Sequence, residues 1–221
     1  MSRFSKEEVF QKIETNRVLP LFNYADADIC KSVIQACYNA GVRVFELTNR
    51  DSAAFEVFKQ LVPFAEQELP ELSLGAGTIL DASTAKAYID AGADFIIAPN
   101  LDFEVGKVCQ DNHIPWIPGC FSPTEMKLAY DLGAEVVKLF PAGTVGPQYI
   151  KHLRGPLPFL KIIVTGGVEL DETSLGRWLE AGVMAVGVGS QLFSEKWIKS
   201  GNYSEIEDTL RNILRFTSRS Q

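Results

Sequence analysis

The stretch Val136-Val137-Lys138-Leu139-Phe140-Pro141 sets a lysine inside an apolar, β-branched run that a proline closes. Lysine is seldom buried without a partner or a purpose. Burial disfavours the ammonium, so Lys138 is expected to titrate low and to spend time as a free amine. Such an amine can attack a carbonyl and form a Schiff base. On this stretch alone the alternatives are an ion pair with a buried carboxylate, or a side chain that reaches back to water. A second run, Val42-Arg43-Val44-Phe45-Glu46-Leu47-Thr48-Asn49-Arg50, places Glu46 among apolar residues with Arg50 just beyond. A carboxylate facing an amine across a pocket makes a proton-transfer and nucleophile pair. The planar fork of Arg50 suits a substrate carboxylate, and a surface pair with Asp51 is its plainer reading. Thr165-Gly166-Gly167 and Gly189-Ser190 supply glycines whose backbone N–H groups can approach an anion, with a serine hydroxyl as a further donor. Ordinary tight turns would use the same glycines.

These residues need elements to hold them, and the chain alternates strand and helix patterns throughout. Strands are expected at Val18–Phe22, Val42–Leu47, Leu72–Ala76, Phe95–Ala98, Trp116–Pro118, Val136–Leu139, Ile162–Val164 and Met184–Val188. Helical stripes such as Ile29-Val33-Ala36-Cys37, Phe55-Phe58-Leu61-Val62 and Ala85-Tyr88-Ile89 separate them. Four junctions share a punctuation, at Gly41, Gly92, Gly133 and Gly182, where a helix needs a left-handed residue before the next strand. Eight such units predict a parallel (β/α)₈ TIM barrel, with functional residues at the C-terminal ends of the strands. Layers of a barrel interior are filled from alternate strands, and strands 2 and 6 lie opposite one another. Val42, Val44 and Glu46 are therefore expected on one inward face, Val136 and Lys138 on the other, with Glu46 and Lys138 meeting across the mouth. A mutual salt bridge that only fills the barrel is the alternative, although such a buried pair does little for stability. The two glycine-bearing loops fall after strands 7 and 8, where many barrels bind phosphate. An extra helix opens the chain, with a Ser5–Glu8 capping box and a Phe4–Val9 staple. A last helix, Ser204 to Phe216, carries an expected Ser204–Glu207 box and an Ile206-Leu210-Ile213 stripe.

Composition bounds the rest. With 221 residues, 46% of them hydrophobic, the chain can bury one large core, and no linker or composition shift divides it, so residues 1–221 read as one domain. A formal charge of −7 argues against nucleic-acid and membrane partners while leaving room for small anions. The start of the chain lacks a signal-peptide core, and no stretch approaches a membrane span. Cys30 and Cys37 lie seven apart on one expected helix, roughly 10 Å along its axis and too far to bridge. With Cys109 and Cys120 they read as reduced thiols of a cytoplasmic protein. His113 and His152 show no ligand-like spacing, so neither a metal nor another cofactor is expected.

Taken together, Gly41-Val42-Arg43-Val44-Phe45-Glu46-Leu47-Thr48, Gly75-Ala76-Gly77-Thr78, Pro118-Gly119 with Ser122-Pro123-Thr124-Glu125, Lys138-Leu139-Phe140-Pro141-Ala142 and Thr165-Gly166-Gly167-Val168 resemble the 2-keto-3-deoxy-6-phosphogluconate and 2-keto-4-hydroxyglutarate aldolases. The resemblance runs from Val18 to Ser190. It implies a metal-free class I aldolase, a homotrimer, that releases pyruvate and an aldehyde from a keto acid. Lys138 then matches the Schiff-base lysine and Glu46 the general acid/base. Arg50, Thr78 and Thr165 match the groups that hold the pyruvyl end, with Phe140 in the same binding site, and Gly166, Gly167 and Ser190 match a phosphate cradle. Family members commonly carry Leu-Arg-Thr where this chain has Asn49-Arg50-Asp51, which brings a carboxylate near the expected anion site. Two other readings compete: a phosphate-binding barrel epimerase or isomerase, which would not need the amine, and a non-catalytic keto-acid or sugar-phosphate binder, which would form no imine.

Overall fold

A computed structural model describes residues 2–218. Its strands are β1 (Val18–Phe22), β2 (Val44–Thr48), β3 (Ser73–Gly77), β4 (Ile96–Ile97), β5 (Trp116–Ile117), β6 (Gly119–Cys120), β7 (Val136–Leu139), β8 (Lys161–Thr165) and β9 (Ala185–Val188). All neighbours pair in parallel, in the order β5-β4-β3-β2-β1-β9-β8-β7-β6. The expected fifth strand, Trp116–Pro118, is thus two short strands. Proline has no N–H to give a ladder, so the stave breaks at Pro118. Its carbonyl still accepts from the Lys138 N–H at 2.8 Å, and Ile117 pairs with β4, so this split stave closes the barrel. Eight staves therefore appear as nine strands, an α/β TIM barrel.

Helices α2 (Ala27–Ala40), α3 (Ala54–Glu68), α4 (Ala82–Asp90), α5 (Phe103–Asp111), α6 (Pro123–Asp131), α7 (Pro147–Leu153), α8 (Glu172–Glu180), α9 (Glu195–Ser200) and α10 (Ser204–Ser218) alternate with the strands or follow them. The four glycine joints adopt positive φ, from 90° to 109°. A fifth joint does the same without glycine. His113 sits at φ 58° and its N–H donates to Gln110, while Ile114 N–H returns to Cys109. A histidine tolerates the left-handed region better than most side chains, and this joint carried no sequence signal.

Helix α1 (Lys6–Asn16) plugs the N-terminal end of the barrel. Its Ser5–Glu8 capping box forms, and Val9, Phe10 and Ile13 pack with Leu19, Val44, Phe95, Ile97, Ile117, Val136, Ile163 and Ala185 from the staves. Phe4 joins the same cluster. The opposite mouth is left for chemistry. Val42 departs from the expected inward face: β2 begins only at Val44, and Val42 is held in the Gly41 joint, where it packs in the outer shell. The Ser204–Glu207 box is also absent. Helix α10 already includes Ser204, whose hydroxyl donates to Asn202, while Glu207 accepts from Arg211. Its Ile206, Leu210 and Ile213 stripe is buried as expected. No helix among the described residues is long and apolar enough to cross a membrane.

Candidate active site

Strand alternation turns Glu46 of β2 and Lys138 of β7 into the barrel, where they are 1% and 5% exposed. Glu46 lies beside Leu21 and Gly75 in register, and Lys138 beside Gly119 and Ile163. Room for the carboxylate comes from Gly77: a Cβ there would fall 1.6 Å from Glu46 Oε1. Gly75 similarly makes room for the Phe95 ring beneath. The two charged groups feel each other but form no ion pair within 4.0 Å. The salt-bridge alternative for this pair is therefore not what the structure contains. Burial pushes the Glu46 carboxyl up, against the pull of Lys138 and Arg50. Burial also holds the Lys138 amine below the ordinary lysine range, opposed by Glu46 and assisted by Arg50. Burial thus opposes the charged form of each group, while the attraction between them favours it. Lys138 Nζ also stands 5.1 Å from the centroid of the Phe140 ring.

At the C-terminal ends of β2, β8 and β9, a cleft of about 130 Å³ gathers Arg50, Phe140, Thr165, Gly166, Gly167 and Ser190, with Leu21, Gly187, Gly189 and Gln191 beside them, while Glu46 and Lys138 lie outside its lining. Gly166 and Gly167 take φ values of 87° and 74°, which side-chain-bearing residues rarely adopt. The 3-10 turn at Ala142–Thr144 packs onto them: Gly143 N–H donates to Gly166 at 2.7 Å, and a Cβ at Gly143 would meet the Gly167 carbonyl at 2.5 Å. Gln191 Oε1 accepts from Leu170 N–H at 3.0 Å and ties the two glycine loops together. Gly187 leaves space for Thr165, whose Oγ1 would lie 2.2 Å from any added Cβ. Gln191 carries no motif of its own, and only the packing exposes its part.

Thr78 lies outside the lining of this cleft, directly after Gly77 at the end of β3. Its φ of 60° is unusual for a β-branched residue, and strain of this kind, about 1–3 kcal/mol, gathers at functional sites. Arg50 has no ion-pair partner among the described residues. Asp51 turns away from it: its Oδ1 accepts from Ala53 N–H at 2.8 Å and its Oδ2 from Asn23 Nδ2 at 2.7 Å. Ser122 and Glu125 serve a capping box on α6 rather than the cleft. Among the described residues, no three His, Cys, Asp or Glu side chains gather closely enough to hold a metal ion.

The Gly77 contact gives a direct expectation. Gly77→Ala should displace the Glu46 carboxylate and lower turnover by roughly 10²-fold or more, the scale of losing a general acid/base. Thermal melting of the variant separates lost chemistry from lost fold, because the clash falls on Oε1, Cδ and Cγ of a buried side chain rather than on backbone. Retained turnover would mean that Glu46 works from another position.

Comparison with known proteins bears on the whole chain. The KDPG and KHG aldolase family matches residues 9–209. A 2-dehydro-3-deoxy-phosphogluconate aldolase of Pseudomonas aeruginosa is 33% identical over 201 residues, covering 90% of this chain and 88% of that one. A 2-dehydro-3-deoxy-6-phosphogalactonate aldolase of Escherichia coli is 36% identical over 121 residues, 54% of this chain and 58% of its own. Among solved structures, a KDPG aldolase from Legionella pneumophila, with pyruvate captured as a covalent carbinolamine, superposes with a TM-score of 0.84 at 27% identity. That match covers 92% of this chain and 97% of the other. A family match over residues 9–209 and a relative 33% identical over nine-tenths of the sequence place the chain in the KDPG and KHG aldolase family.

Proposed function

We propose that this aldolase cleaves a 2-keto-3-deoxy-6-phospho sugar acid of the phosphogluconate or phosphogalactonate type, 4-hydroxy-2-oxoglutarate, or both. The products are pyruvate and an aldehyde, glyceraldehyde 3-phosphate or glyoxylate. The observation that carries this reading is the buried Lys138–Glu46 pair, held apart at the barrel mouth and biased by burial toward its neutral forms. The carbinolamine captured in the Legionella pneumophila relative supports the same covalent route.

The amine of Lys138 attacks the substrate's C2 ketone, and Glu46 supplies the proton that lets the carbinolamine lose water. In the resulting iminium the C4 hydroxyl gives up its proton and the C3–C4 bond breaks. Its electron pair moves into the iminium, leaving an enamine and a free aldehyde. Protonation at C3 and hydrolysis release pyruvate and restore the amine. Glu46 is the group beside Lys138 that can carry these protons, directly or through water. Arg50, Thr165 and Thr78 hold the pyruvyl carboxylate end, Phe140 walls it, and Gly166, Gly167 and Ser190 receive the phosphate. The same reading makes the protein a single-domain cytoplasmic enzyme that assembles as a homotrimer, with a mass in solution near three times 24.4 kDa.

The test is pyruvate release from each substrate, followed with lactate dehydrogenase. Pyruvate from at least one of them is expected, and none from any would contradict the proposal. Ser190→Asp separates the substrates. A carboxylate at the cradle should repel phosphate by several kcal/mol, partly offset by Arg50, and lower kcat/KM for phosphorylated keto acids by roughly tenfold or more. The loss for 4-hydroxy-2-oxoglutarate, which has no phosphate, should be much smaller. Equal losses would show general damage to the barrel, and no loss would remove Ser190 from the cradle.

A further inference from the structure

The cleft begins beside the amine. Phe140, which lines it, holds its ring centroid 5.1 Å from Lys138 Nζ. Thr165, also in the lining, lies two residues beyond Ile163, the register partner of Lys138, on the same face of β8. That is roughly 7 Å further toward the mouth. Gly166, Gly167, Ser190 and Gln191 belong to the same lining.

The polar groups there describe an anion. Arg50 is the one charged side chain of the lining, which holds no carboxylate. The backbone N–H groups of Gly167, Ser190 and Gln191, and the Ser190 hydroxyl, have no hydrogen-bond partner among the described residues. Gln191 adds donors from its side chain. Its Oε1 is committed to Leu170 N–H at 3.0 Å. The reverse amide orientation would set an NH2 against an N–H, so this hydrogen bond fixes which end is the carbonyl. The other end, Nε2, carries two N–H donors with no partner among the described residues, on an exposed side chain. Gln191 therefore holds the loop after β8 with one end and has two free donors at the other, directly after Ser190.

We infer that Gln191 is a specificity-determining residue: its carbonyl ties the two glycine loops, its Nε2 donates to the terminal phosphate of the substrate, and the aldolase thereby prefers phosphorylated keto acids to unphosphorylated ones. This deepens the aldolase reading and rests on it. A phosphate on C6 stands four carbons beyond C2, the atom that Lys138 attacks. Its place is accordingly in the loops past Thr165 rather than beside the amine. Because Oε1 is already occupied, a dianion in the cleft meets donors and one cation, with no competing acceptor from this side chain.

The test compares cleavage of 2-keto-3-deoxy-6-phosphogluconate with that of 2-keto-3-deoxygluconate, which has the same carbon chain and no phosphate. The readout is the ratio of the two kcat/KM values, in which damage common to both substrates cancels. The wild type is expected to favour the phosphorylated substrate. Gln191→Met removes both the tie and the donors, and it should lower the ratio by roughly tenfold, the worth of one hydrogen bond to a charged group. Gln191→Glu keeps an oxygen for Leu170 N–H but exchanges the donors for a second acceptor and a negative charge. It should lower the ratio further, by roughly 10²-fold. A ratio unchanged in both variants would overturn the inference. A ratio lowered in Gln191→Met but kept in Gln191→Glu would make Gln191 a tie only and overturn its part as donor. Borohydride trapping of pyruvate by the wild type keeps the two claims apart. No adduct would remove the aldolase reading itself, whereas an adduct in an enzyme with no preference for the phosphorylated substrate would remove only the role of Gln191.

Discussion

Lys138→Ala is expected to lower turnover by roughly 10⁵-fold or more, the scale seen when a covalent nucleophile is removed. The side chain sits buried in β7, whereas Lys161 stands exposed at the N-terminal end of β8. Lys138→Arg should be as inactive as the alanine variant. A guanidinium keeps the positive charge, yet it offers no free amine at any working pH. The two variants together separate electrostatics from nucleophilicity: activity surviving in the arginine variant would mean that Lys138 supplies only charge. Thermal melting of both, beside the wild type, distinguishes lost chemistry from lost fold.

Glu46→Gln keeps the shape of the carboxyl group but removes its proton exchange, and turnover should fall by roughly 10²–10⁴-fold. Its effect on pH dependence has a definite sign. The Glu46 carboxylate favours the Lys138 ammonium, so removing it takes away an attraction that raises the lysine pKa. The rate of imine formation with pyruvate rises as the amine loses its proton, and the midpoint of that rise should move to lower pH in Glu46→Gln. Arg50 acts oppositely, holding the lysine pKa down, and Arg50→Leu should move the midpoint to higher pH. Rate–pH profiles of imine formation read both shifts. Movement in the reversed directions would mean that the two side chains do not act on Lys138 through their charges. Near wild-type turnover in Glu46→Gln would assign proton transfer to another group.

Much of this site was legible because its residues contradict their surroundings. Lysine and glutamate inside apolar β runs carry a desolvation cost that a stable barrel has no need of, and the period-2 pattern placed both on inward faces. The barrel itself followed from repeated strands and from four glycines at helix ends, each of which does take positive φ. Features set by tertiary packing were not legible. Pro118 splits a stave that reads as one strand, and Val42 falls outside β2 because the Gly41 joint uses its N–H. His113 fills a joint normally marked by glycine. Ser204 has good capping chemistry but lies one residue too far into α10 to use it. At the site, Gln191 acts by what it touches rather than by type. The placement of Asp51 was the least readable: its charge suggested a pair with Arg50 or a carboxylate near the anion site, whereas hydrogen bonds from Asn23 and Ala53 hold it elsewhere.

Incubation with pyruvate and sodium borohydride, followed by peptide mapping in the mass spectrometer, tests the central claim most directly. An imine between pyruvate and Lys138 would be reduced to a stable secondary amine, leaving a carboxyethyl group on that residue and an irreversibly inactive enzyme. The account predicts this adduct on Lys138, dependent on both reagents and absent from Lys138→Arg. An unmodified Lys138 in protein that still releases pyruvate, or an adduct mapped to a different lysine, would contradict it.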